Sequence, residues 1–206
     1  MSFENTEADF TQPYYYTCPQ PATGLNWAGL GGLNGAALLQ SGTLQFHSNP
    51  NGAVAYDFAQ VWAVNAKSYT YGPDGPPATV GHSIEGFVVW NYHGGTTGAA
   101  ELLVYDLTNN SSWGVTYTLP RAQYGPGVAG FGATAEAISE KSPSALDALD
   151  PSSNQVQFTY FTAAQYQTGT YYTFSAMPFM VWENSFLSSN AASRTGLTFQ
   201  SEWNHC

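Results

Sequence analysis

Phe131-Gly-Ala-Thr-Ala-Glu136-Ala-Ile-Ser-Glu140-Lys141 is the stretch from which the rest of this chain is best read. It places two of fourteen acidic residues four apart in an apolar, small-residue segment. On a strand, residues i and i+4 point to the same face. On a helix they also share a face. In both cases two carboxyl groups project in one direction, with Lys141 as the only nearby base. Carboxyls held close together raise each other's pKa, because the second ionisation meets the first charge. Glu136 and Glu140 are therefore candidates for an acid site, and the plainer alternative is a pair of solvated glutamates.

Outward from that stretch the sequence reads as strands and turns. Towards the C-terminus, Ser142–Ser153 is expected to be a loop or short helical turn. Val156–Phe161, Thr170–Met180 and Leu197–Trp203 follow as strands. Towards the N-terminus, Gln123–Gly132 is a Gly- and Pro-containing connection. Ala99–Thr108 and Trp113–Leu119 flank Asn109-Asn-Ser-Ser112 and read as a hairpin. Ile84–His93 is apolar and reads as a central strand. Leu38–His47 alternates imperfectly, and Val54–Ala66 is a second strand region. Asn49-Pro-Asn-Gly52 and Gly72–Pro77 carry turn chemistry. Residues 1–24, interrupted by Pro13, Pro19 and Pro21, read as an irregular arm that Tyr14-Tyr-Tyr16 pins down. Residues 25–206 are expected to form one domain. Helix-period segments are scarce, so the expected fold is all-β, an antiparallel two-sheet sandwich.

Composition narrows the function. Of 206 residues only 9% are charged, 43% are hydrophobic and 16% aromatic, with a net charge of −10. The four basic residues, Lys67, Arg121, Lys141 and Arg194, do not cluster. Counterion release on a nucleic-acid backbone needs such a cluster, so no nucleic-acid partner is expected. Attraction to anionic membrane surfaces is disfavoured for the same reason, and no apolar run is long enough to span a bilayer. With so few cations, the chain carries little self-repulsion once its carboxyls are protonated at about pH 3–4.

Cys18 and Cys206 lie near opposite ends, and a terminus-to-terminus disulfide and two free thiols are both open. Met1-Ser-Phe-Glu-Asn-Thr-Glu is acidic and polar, unlike a signal peptide. An intracellular protein, or one whose leader has been removed, is expected. The four histidines show no ligand spacing, and two distant cysteines complete no zinc site. The glycines after Trp27 form no phosphate loop, and no Gly-x-Ser-x-Gly elbow is present. No metal and no cofactor is expected.

Several segments together resemble the glutamic peptidases of fungi, the eqolisin family. Asn26-Trp27-Ala28-Gly29 is similar to the family's opening motif. Ser41–Phe46 and Val61-Trp62-Ala63-Val64 resemble two of its strands, and Phe87–Tyr92 lies where it has an aromatic strand. Leu107-Thr108-Asn109 resembles a family hairpin, and Gly196–Trp203 its terminal strand. Ala135–Glu140 matches the pattern Ala-Glu-aromatic-Ile-aliphatic-Glu. The correspondence runs in order over most of residues 25–203. It implies a two-sheet β-sandwich and a Glu acting as general acid/base beside a Gln that positions water. By position in the motif the Glu would be Glu140, with Glu136 second.

The Gln departs from the pattern. It should lie between the Trp62 and Phe87 segments, yet residues 63–86 contain none. Asn65, Tyr69, Tyr71 and His82 stand there instead, and Gln60 precedes Trp62 and would point from the wrong place. Losing one oxyanion donor costs roughly 10²–10³ in rate. The expectation is therefore a peptidase-like cleft put to other use. Trp62, Tyr69, Tyr71, His82, Phe87, Val89, Trp90 and Asn65 would line it, and a small apolar metabolite would bind there. A carboxylic acid would assist dehydration, cyclisation or cycloaddition. Hydrolysis of peptides at acid pH, and non-catalytic binding of carbohydrate or protein, are the alternatives.

Overall fold

Strict alternation along Ser83–Asn91 builds the larger sheet. In the computed structural model, residues of Ser83–Asn91 are half-buried and buried in turn along the whole strand. That is the period-two pattern of a strand packed on one side. The structure describes residues 3–13, 22–31, 37–48, 52–62, 68–71, 75–91, 96–120, 134–141, 155–166, 168–173, 188–189 and 199–203. No helix occurs among them. The strands are β1 (Phe3–Thr11), β2 (Ala22–Gly31), β3 (Leu38–Ser48), β4 (Gly52–Trp62), β5 (Ser68–Tyr71), β6 (Pro77–Ala78) and β7 (Ser83–Asn91). They continue with β8 (Thr97–Asp106), β9 (Ser111–Pro120), β10 (Ala135–Lys141), β11 (Gln155–Gln165), β12 (Tyr171–Thr173), β13 (Ser188–Ser189) and β14 (Phe199–Trp203).

Two antiparallel sheets result. The eight-stranded sheet runs β13-β14-β11-β1-β7-β8-β9, with β12 also paired to β11. The six-stranded sheet runs β10-β2-β3-β4-β5, with β6 also paired to β4. The expected hairpin is present as β8 and β9, joined through Leu107–Asn110. Asp106 organises that turn, its carboxylate accepting from the amides of Thr108 and Asn109 at 3.0 Å each. Asn110 takes the left-handed conformation, φ 54°, which Asn tolerates better than most residues.

The N-terminal segment differs from its expected irregular path. Phe3–Thr11 is a strand in the interior of the larger sheet, paired with β7 on one side and β11 on the other. The prolines that suggested an arm all follow this strand. Its face alternates as well, with Thr6, Ala8 and Phe10 fully buried. Residues 14–21, with Tyr14-Tyr-Tyr16 and Cys18, lie outside the described residues, as do 142–154 and Cys206.

The core lies between the sheets. Phe10, Ile84, Val88, Leu102, Val104, Phe158 and Phe161 come from the larger sheet and Ala28, Leu30, Leu39 and Ala135 from the smaller. Gly86 allows a close approach, since a Cβ there would stand 2.5 Å from the Ser41 carbonyl oxygen. Ser41 Oγ crosses the gap to donate to the Phe87 carbonyl at 3.1 Å. Towards one end the inner face of the smaller sheet turns polar. Asn26, Thr43 and Asp57 are neighbours in register there. Gln12 Nε2 donates across the gap to Gln45 Oε1 at 3.1 Å.

Because β1 is interior, its apolar residues carry core energy. Phe10 is fully buried and its ring lies 5.5 Å from that of Phe158. Phe10→Ala is expected to lower unfolding free energy by about 3–5 kcal/mol in urea denaturation. A detachable arm would leave stability nearly unchanged.

Candidate functional site

β10 is held against β2 at one end by a small set of local bonds. The Gly31 amide donates to the Thr134 carbonyl at 2.9 Å. Gly31 itself has φ +93°, and a Cβ there would collide with the Ala37 carbonyl. The Thr134 hydroxyl lies 2.8 Å from the Gly31 carbonyl oxygen and 2.8 Å from Glu136 Oε1. From this anchor the register runs Ala135↔Leu30, Glu136↔Gly29, Ala137↔Ala28, Ile138↔Trp27 and Glu140↔Leu25.

This register divides β10 into two faces. Ala135 and Ala137 belong to the core between the sheets. Ile138 belongs to a separate apolar cluster with Trp27, Leu44 and Phe58, joined by Leu25 and Leu38. Glu136 shares that second, outer face by the strand period. Trp27 is 3% and Phe58 2% exposed, so this face is covered rather than open to bulk water.

Across the outer face one row of register positions runs Glu136, Gly29, Gln40, Gln60 and Thr70. Gly29 has no room for a side chain, because a Cβ would overlap the Trp27 ring. The indole therefore lies over Gly29, between the strands that carry Glu136 and Gln40. Gln40 is 3% exposed and Glu136 half-buried. The row combines a carboxyl, an aromatic plate and a buried amide.

The Thr134 hydroxyl suits a carboxyl that changes protonation state. It has one proton and two acceptor sites. It can donate to an ionised Glu136, or donate to the Gly31 carbonyl and accept from a protonated Glu136.

The residues expected to line one cleft are separated. Phe87 and Val89 lie on the outer face of the eight-stranded sheet, on the far side of the sandwich from Glu136. The alternation of β7 puts Val88 and Trp90 inside instead. Trp90 is a core residue, 3% exposed. His82 precedes β7, and its Nδ1 lies 2.7 Å from Asp106 Oδ2. It ties the start of β7 to the β8–β9 turn, a structural role. Trp62 is in register with Leu38, on the same sheet face as Glu136. Tyr69 and Tyr71 occupy positions beside Val61 and Ala59, on the core-facing side. The side chains of Trp62, Tyr69, Tyr71 and Glu140, and all of Asn65, lie outside the described residues. Glu140 is on the same strand face as Glu136, as its spacing required. Position 60 pairs in register with Gln40, and its side chain lies outside the described residues.

Trp27, Gln40, Leu44, Phe58 and Thr134 were not singled out as site residues. The period of β3 offered a signal, since Leu38, Gln40, Gly42 and Leu44 fall on one face. Only the pairing of β3 with β2 shows which face that is.

The wider carboxyl set responds to burial. Asp9 and Glu85 face each other in register on the outer face of the larger sheet. Burial, then the Glu7 charge, pushes Asp9 up to about 6. Burial, then Asp9 and Glu7, pushes Glu85 up to about 7. Burial between the sheets, then the Asp106 charge, pushes Asp57 up to about 7. Asp106 moves the other way: hydrogen bonds from His82, Asn109 and Thr108 outweigh its own desolvation and hold it below the usual carboxylate range.

The architecture matches solved structures along nearly its whole length. The chain is similar to scytalido-glutamic peptidase, solved with a transition-state analogue inhibitor, at TM-score 0.65 and 18% identity. That match covers 98% of this chain and 93% of the other. The chain has the eqolisin fold. It is also similar to SCP-B, a member of the eqolisin family of peptidases solved with the tripeptide Ala-Ile-His, at TM-score 0.54 and 16% identity. The coverage there is again 98% and 93%. No protein-family model and no curated protein matches the sequence. The expected antiparallel sandwich of eqolisin type is thus the fold of this chain, while identities this low leave its chemistry to its own residues.

The raised carboxyls set the sign of the pH dependence. Asp9, Asp57 and Glu85 bind protons more tightly folded than unfolded. Their contribution to stability is full below their ordinary values of 3.8, 3.8 and 4.5, and is lost as pH rises through about 6 to 7. Asp106 contributes stability that is present above its ordinary 3.8 and lost as pH falls through its lowered value. Thermal unfolding followed by circular dichroism is expected to show a higher Tm near pH 5 than at pH 8. Asp57→Asn should flatten that rise and stabilise the protein chiefly at the alkaline end.

Proposed function

We propose that this eqolisin sandwich is an enzyme whose outer-face carboxyl acts on a small, largely apolar metabolite. Glu136 serves as the acid, and Glu140 is the second candidate on the same strand. The supporting observation is the setting of Glu136, half-buried beside the Trp27, Ile138, Phe58 and Leu44 cluster and hydrogen-bonded to Thr134. An apolar surface with a few directed polar groups is the usual character of a small-molecule site.

The chemistry follows from one proton. Protonated Glu136 gives its proton to a departing hydroxyl, and the C–O bond breaks with loss of water. The resulting carboxylate takes a proton from a neighbouring carbon, which closes the double bond and restores the acid. Thr134 stabilises the carboxylate while it lasts. Trp27 and Phe58 back the site from within, and the partly buried Leu25, Leu38 and Ile138 hold the apolar frame in one conformation, so that a ring closure meets a smaller entropic barrier.

Peptide hydrolysis is the second reading, and the buried amide of Gln40 favours it. Gln40 stands on the same face as Glu136, across Gly29. The Gln missing between the Trp62 and Phe87 segments would then have a substitute on β3. The solved neighbours carry a transition-state analogue and a tripeptide, which sets peptides as the comparison substrate.

Metabolite profiling distinguishes the two. A host lacking the gene should accumulate a precursor heavier than the product by one water. Wild type should restore the product, and Glu136→Gln should restore it at a rate lower by about 10²–10⁴. Glu140→Gln, run in parallel, shows which carboxyl carries the step. Casein cleavage at about pH 3 that disappears in Glu136→Gln, with the metabolite profile unchanged, would replace the proposal with the peptidase reading.

A further inference from the structure

The free edge of the larger sheet carries a second inference, independent of the outer-face carboxyl. β9 ends that sheet, and no described strand pairs with its other side. Its ten residues, Ser111-Ser-Trp-Gly-Val-Thr-Tyr-Thr-Leu-Pro120, contain no Asp, Glu, Lys, Arg or His. The register with β8 runs from Thr97↔Pro120 to Asp106↔Ser111 without a shift, so no bulge interrupts it. The single proline is the last residue.

Edge strands expose backbone groups ready to pair with another chain. Natural sheets protect them with short length, charge, proline or a bulge. β9 lacks each of these until its last residue, Pro120, over a span of about 30 Å. Its exposed face is Ser112, Gly114, Thr116 and Thr118, small and neutral, while Trp113, Val115 and Tyr117 are only half-buried against the core.

We propose that β9 is a self-association edge, on which two copies pair β9 with β9 antiparallel across a twofold axis. A second copy is the occupant that the charge distribution favours. The chain carries a net charge of −10, so most contacts between copies bring like charges together. β9 offers ten consecutive neutral positions. Two carboxylates stand opposite β9 in register, and both are engaged elsewhere. Glu101, opposite Thr116, accepts from Asn91 Nδ2 at 3.0 Å. Asp106, opposite Ser111, accepts from the amides of Thr108 and Asn109 and lies 2.7 Å from His82 Nδ1. The two larger sheets would join into one, and the half-buried rings of Trp113 and Tyr117 would gain cover from the partner's edge.

Sedimentation equilibrium of the purified chain tests this across a wide concentration range. The wild type is expected to show reversible dimers. Thr116→Lys combined with Thr118→Lys places like charges across the paired edges and should weaken the dimer by about tenfold or more. The far-ultraviolet spectrum and Tm should stay unchanged, since both positions are exposed. Ser112→Lys, near the strand's start, provides the same test if the double variant does not fold. A wild type that is monomeric throughout overturns the proposal, whether or not it captures an added extended peptide. So does a dimer that survives the lysines.

Discussion

The pairing of β10 with β2 is the constraint on which the site depends. A strand has two faces, and a slip of one residue exchanges them. In the observed register Ala135 and Ala137 enter the core while Glu136 and Ile138 face outward. The shifted register would bury a carboxyl between the sheets and turn alanines towards the apolar cluster. Two devices hold the register. Small alanines fit the space beside Ala28 and Leu30, and the bonds between Thr134 and Gly31 fix the end of the strand. Gly31 can make that turn because its φ of +93° carries no penalty without a Cβ. The same Thr134 also touches Glu136, so one residue sets both the register and the environment of the candidate acid.

The sandwich distributes its few charges to match its composition. Three carboxyls with raised pKa values lie in places where ionisation is opposed, Asp57 between the sheets and Asp9 with Glu85 across one strand pair. None has a cationic partner among the described ion pairs, of which His82 with Asp106 is the one observed. With four basic residues against fourteen acidic ones, the chain has few cations to pair with buried carboxylates. Protonation relieves these three, and it makes acid the more favourable medium for the fold. The low charge content and the raised carboxyls are thus two expressions of one choice of residues.

Much of the fold could be read from local pattern, and the site much less so. Imperfect alternation pointed to β3, apolar residues to β4 and β7, and the turn residues at 109–112 to the β8–β9 hairpin, with β11 expected as a further strand. β1 escaped because the prolines after it drew attention away from the alternation of Thr6, Ala8 and Phe10. The spacing of Glu136 and Glu140 correctly placed them on one face. Which sheet face carries Phe87 and Val89 was a different kind of question. Every β7 residue from Phe87 to Trp90 is apolar, so period two could not say which side was buried. Only the packing of Gly86 against Ser41 and Ala28 settles it, and that contact joins residues more than forty positions apart. Trp27 and Gln40 likewise become neighbours of Glu136 only through long-range pairing.

A shared fold leaves the chemistry open because the candidate row is assembled from four different strand pairings. Each strand contributes one position to it: 136, 29, 40, 60 and 70. Positions 136 and 40 face away from the core between the sheets, so a change there alters the row while that core stays as it is. Gly29 is the exception, because a Cβ there would overlap the Trp27 ring. Gln40, buried on the outer face, requires its polar groups to be satisfied. Sequence identity can therefore fall to 18% while the sheets superpose along their length. What the likeness shows is the sandwich; the glycine under an indole, with a carboxyl on one side and an amide on the other, is read from this chain alone. The fold is therefore common ground for both proposed chemistries, and the choice between them rests on the residues that surround Glu136.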